Sequence, residues 1–82
     1  MQFIVEVRLR PGTLHKVAET FELLGPNRHA GVRFRQGWIG TRSDVIFALV
    51  DAESEEPVHQ ASQSWKEHGV TLIHPVIDAE QY

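Results

Sequence analysis

"VIFALV", Val45 to Val50, is a run of six apolar residues. A strand with one face in water alternates apolar and polar residues, whereas one covered on both faces is apolar at both parities. This run is of the second kind, and the fold turns on what covers its two faces. Just upstream, "GVRFRQGWIG" (Gly31 to Gly40) alternates Val32 and Phe34 with Arg33 and Arg35. That is a strand with one apolar and one charged face. "IGTRSD" between the two is a turn, so they form a hairpin.

Working outward, Gln2 to Arg10 alternates cleanly. Phe3, Val5, Val7 and Leu9 point one way, and Ile4, Glu6, Arg8 and Arg10 the other. Pro11-Gly12 stops that strand, because proline lacks the ladder donor and glycine opens the turn. Thr13 is placed to cap a helix, in which Leu14, Val17, Ala18, Phe21 and Leu24 recur at helical spacing. Gly25-Pro26-Asn27 ends it. After Val50, the acidic "DAESEEP" suits the first turn of a second helix. Val58, Ala61 and Trp65 mark its buried side, and His68-Gly69 closes it. "VTLIHPVI" is a last strand, again apolar at both parities, and Asp78 to Tyr82 form a tail.

The predicted order is βαββαβ over one domain, residues 1–82. This is the split-βαβ, ferredoxin-like plan, an α+β fold with two helices on one face of a four-stranded antiparallel sheet. Two helices cover one face only, yet the third and fourth strands read as covered on both. A second copy of the same sheet is the simplest cover, so a homodimer is expected.

Composition narrows the function classes. There is no cysteine, which excludes disulfides and thiolate metal sites. The five histidines are scattered, with no i, i+4 pair, so no metal is expected. A formal charge of −3 without any basic run argues against nucleic acid. No apolar stretch approaches the ~20 residues that span a bilayer, nor is there a signal-peptide core, so no membrane partner and a cytoplasmic location are expected. Glycine-rich phosphate loops and a nucleophile elbow are absent, and no cofactor is expected.

"FIVEVRLRPG" at the front, "VIFALVDAES" in the middle, and Trp65 followed by "HPVIDAEQY" at the end carry a resemblance that spans nearly the whole chain. The chain resembles the dimeric α+β barrel superfamily, in which two ferredoxin-like sheets pack face to face. More narrowly, it is similar to a group of short bacterial proteins of unknown function. The superfamily includes cofactor-free quinol-type monooxygenases, haem-degrading monooxygenases, muconolactone isomerase and small stress-induced proteins. The resemblance therefore implies the fold and the dimer and leaves activity open.

In the ferredoxin-like strand order 4-1-3-2, the third strand lies between the first and second. If Val45, Phe47 and Leu49 pack under the helices, then Ile46, Ala48 and Val50 line the opposite face, with Ala48 as its floor. Glu6 and Arg8 flank that line on one side, Arg33 and Arg35 on the other, and His74 joins from the last strand. Arginines grip carboxylate, phosphate or enolate oxygens through paired hydrogen bonds. These five residues are the candidate ligand-binding set. Glu6, Arg8 and His74 are the candidate actors for any general acid/base chemistry. The plainer reading has the charges solvated or paired with each other, as Glu6 and Arg8 can be. Trp38 and Trp65 both read as core. Three functions compete: a dimer binding a small anionic or aromatic metabolite, a cofactor-independent isomerase or monooxygenase, and a structural or regulatory module without ligand.

Overall fold

The computed structural model describes residues 1–15, 31–42 and 44–82. Four eight-residue strands, β1 (Gln2–Leu9), β2 (Val32–Ile39), β3 (Val45–Ala52) and β4 (Gly69–Val76), form one antiparallel sheet in the order β2-β3-β1-β4. That is the order expected, with β1 central. The helix α1 (Glu55–Ser62) follows β3 and tightens into a 3-10 turn, Gln63–Trp65, before β4. The fold is α+β and ferredoxin-like. The helix expected between β1 and β2 lies outside the described residues, apart from its first two, Leu14 and His15, which are helical.

β1 behaves as its alternation dictates. Phe3, Val5, Val7 and Leu9 are buried, and with Val50, Ala52 and Val58 of α1 they make the core. Leu14, Ile46, Ala48, Trp65 and Ile73 pack against it, partly buried, as expected for Trp65. Ser62, at the end of α1, is buried because its hydroxyl donates to the Val58 carbonyl at 2.7 Å. In the turn after β1, Thr13 donates its hydroxyl back to the Arg10 carbonyl at 2.7 Å.

The register corrects two expectations. Val50, Ala48 and Ile46 lie directly across from Phe3, Val5 and Val7. Cross-strand partners share a face, so Ile46, Ala48 and Val50 belong to the helix side, and Val45, Phe47 and Leu49 to the open face. The parity assigned to β3 from sequence is reversed, and Ala48 is no floor. Trp38 is the second correction. Phe34 pairs with Val50 but Gln36 with Leu49, so Arg35 is the extra residue of a bulge. One extra residue flips every later side chain to the other face. Trp38 therefore leaves the core side, lies across from Phe47 on the open face, and is 43% exposed.

β4 starts at a close approach. A Cβ at Gly69 would run into the Arg8 carbonyl group and the Leu9 Cα, backbone that cannot rotate aside. Gly69→Ala should therefore cost about 1–3 kcal/mol, the range for overpacking, seen as a lower urea midpoint. An unchanged midpoint would contradict this packing. Among the described residues no helix is long and apolar enough to cross a membrane.

Candidate functional site

The open face carries Ile4, Val45, Phe47, Leu49, Val70 and Leu72, with Trp38 near one edge. All five candidate residues stand on or reach this face, in two separate groups. Glu6 occupies the middle of β1, with Phe47 across on β3 and Leu72 across on β4. Arg8, two residues on, shares its face, and its Nε donates to Glu6 Oε2 at 2.7 Å. His74 lies across from Ile4 and so diagonally from Glu6. Its Nε2 is 3.2 Å from the other carboxylate oxygen, Oε1. Each Glu6 oxygen thus has its own nitrogen partner. The glutamate is 15% exposed, whereas Arg8 and His74 stay open to solvent.

The hydrogen bond from Arg8 holds the Glu6 carboxyl below the ordinary glutamate range. Partial desolvation pushes the other way and is outweighed, and His74 acts in the same direction as Arg8. A native pKa below the unfolded one means stability that is complete above about 4.3, the ordinary glutamate value, and lost as pH falls through the native value. Arg8→Gln should move the Glu6 titration upward, toward the ordinary value, and remove most of that acid-side loss. A carbon-13 titration of the Glu6 carboxyl reads this directly, and an unmoved midpoint would contradict the assignment.

The second group lies across the sheet. Arg33 faces Asp51 in register, yet Asp51 Oδ2 is taken at 3.3 Å by Nε of Arg35, which the bulge delivers to it. A half-exposed pair of this kind contributes at most about 1 kcal/mol. The Arg33 side chain is left with no hydrogen bond or ion pair among the described residues. Three strand spacings, about 14 Å, separate β2 from β4. The five residues therefore do not converge within one chain: Glu6, Arg8 and His74 meet, and across the sheet Arg35 pairs with Asp51 while Arg33 stands in register with it. Asp51, in the acidic stretch expected to open the second helix, belongs to β3 instead. Gly37, an isolated glycine inside a strand pattern, was the signal for the bulge that brings Arg35 to it.

The family comparison covers the full length. Residues 1–82 match the model of DUF3303, a domain of unknown function. The chain belongs to the DUF3303 family. Two solved structures share the fold of this DUF3303 chain. The crystal structure of SCO4226 from Streptomyces coelicolor A3(2) is 26% identical, with a TM-score of 0.61 over 96% of this chain and 100% of that one. An uncharacterized NIPSNAP domain protein from Burkholderia xenovorans is 11% identical, also with a TM-score of 0.61, over 95% of this chain and 94% of that one. The latter likeness concerns the fold alone. No curated protein matches the DUF3303 chain.

Proposed function

We propose that this DUF3303 chain works as a cytoplasmic homodimer, its open sheet faces packed on one another, and binds a small anionic, aromatic-bearing metabolite between them. The carrying observation is the charge arrangement on the apolar face. Glu6 is matched by Arg8 and Asp51 by Arg35, so covering the face buries pairs rather than lone ions. Arg33 remains over. Within the paired strands, three arginines against two carboxylates leave one net positive charge on this face, on a chain whose formal charge is −3. Two copies double that excess between low-dielectric walls, where an organic anion is the natural counter-charge. Trp38 and Phe47, across from one another, offer ring surface to such a ligand.

The area also suits a second copy. Four eight-residue strands make a face of roughly 500 Å² in projection, and more in accessible surface, against about 800 Å² per partner in a standard interface.

A calorimetric titration of benzoate and phenylacetate, with benzyl alcohol as the neutral comparison, tests the binding. The aromatic carboxylates should bind and the alcohol should not. Arg33→Gln should weaken binding by about 1.5–3 kcal/mol, the range for a hydrogen bond to a charged group, while Arg35, committed to Asp51, contributes less. Equal binding by the parent and Arg33→Gln, or none by the parent, would contradict the reading.

A further inference from the structure

The Glu6–His74 contact has chemical content beyond charge balance. A neutral imidazole carries its hydrogen on one nitrogen and a lone pair on the other, and the partner of the first decides which. A carboxylate accepts and cannot donate. Glu6 Oε1 beside Nε2 at 3.2 Å therefore places the hydrogen on Nε2. Nδ1 is left with its lone pair, and it makes no hydrogen bond among the described residues. Arg8 fixes the carboxylate from its other side through Nε, leaving the terminal guanidinium N–H groups available to an oxyanion. A base and the group that orients it thus meet at the middle of an apolar sheet face, with Arg8 on the far side of the glutamate.

We propose that His74 is a general base, positioned by Glu6, for proton transfer at the carbon next to a carbonyl in a small anionic substrate such as a 2-oxo acid. This rests on the binding reading above and adds a reaction to it. His74 Nδ1 takes the proton, the C–H electron pair becomes the new C=C bond, and the carbonyl π pair moves onto oxygen as an enolate. The imidazolium then returns its proton to the enolate oxygen, or to the far carbon of a conjugated substrate. The result is a tautomerisation or isomerisation in which nothing is oxidised or reduced, so no co-reactant is required. Glu6 stabilises the transient imidazolium without accepting its proton. The other charged groups on this face, Arg33, Arg35 and Asp51, lie across the sheet on β2 and β3.

Phenylpyruvate is a suitable probe, because it joins a carboxylate, an aromatic ring and an acidic carbon, and its enol–keto exchange is followed in the ultraviolet. The wild-type chain should accelerate that exchange. His74→Gln should lose about 100-fold or more in kcat, the lower end for a positioned acid/base group, with KM little changed. Glu6→Gln should lose less and shift the acid limb of the pH–rate profile, which protonation of the base sets, a change that a purely structural role would not produce. Nitrogen-15 spectra of the free protein should show His74 protonated at Nε2 and bare at Nδ1. The opposite tautomer, or wild-type exchange no faster than that of His74→Gln, would overturn the proposal. Phenylacetate, which lacks the carbonyl, separates the two readings: binding of it without phenylpyruvate turnover sinks the proton transfer alone, and absence of binding sinks the ligand reading as well.

Discussion

Val50→Asp should abolish folding, while Leu49→Asp, one residue earlier, should leave a folded chain that no longer dimerises. Val50 is 6% exposed and lies across from Phe3 and Phe34. A carboxylate there has no partner, and burying one costs several kcal/mol. The lost valine burial adds about 1.5–3 kcal/mol. A chain of 82 residues has roughly 4–12 kcal/mol in total at ordinary per-residue stability, so little would remain. Leu49 faces the open side between Ile4 and Gln36 and is only partly covered within one chain. Aspartate is tolerable there in a monomer and costly under a second sheet. Circular dichroism with light scattering on both variants distinguishes the outcomes. A folded Val50→Asp or a stably dimeric Leu49→Asp protein would contradict the parity of β3 or its role.

Phe3→Ala should be the most damaging truncation in the core. Phe3 is fully buried at the centre of the cluster, with Val50 on one side and Pro75 on the other. Phenylalanine truncations in cores cost about 3–5 kcal/mol through lost transfer energy and the cavity left behind. A urea melt should show the midpoint collapse toward zero denaturant. A loss below about 1 kcal/mol would mean that the site collapses freely, at odds with this packing.

These variants also show where the sequence was readable. β1 announces its faces because charged and apolar residues alternate without a break, and the register leaves that assignment intact. β3 does not, because Val45 to Val50 is apolar at both parities and carries no phase of its own. The phase lies one residue further on: Asp51 continues the strand and shares the side of Val45, Phe47 and Leu49. Ending the strand at Val50 discards that clue. Trp38 was misplaced for a different reason. Alternation from Phe34 puts it under the helix, and only the extra residue at Arg35 reverses it.

The candidate site was legible as residue types on strands, and its partners were not. That Glu6 and Arg8 share a face follows from period two. The meeting of Glu6 with His74 depends on how β4 slides against β1, which no local pattern encodes. The same holds for Asp51, whose pairing with Arg35 rather than the facing Arg33 depends on the bulge.

Light scattering of the freshly purified chain at micromolar concentration is the most direct measurement, because every functional reading here requires the open face to be covered by a second copy. A mass of two chains, reduced to one by Leu49→Asp with the circular dichroism unchanged, is the expected result. A single-chain mass for the parent would mean that Ile4, Phe47, Leu49 and Leu72 face water, and the homodimeric binding site would be lost with the dimer.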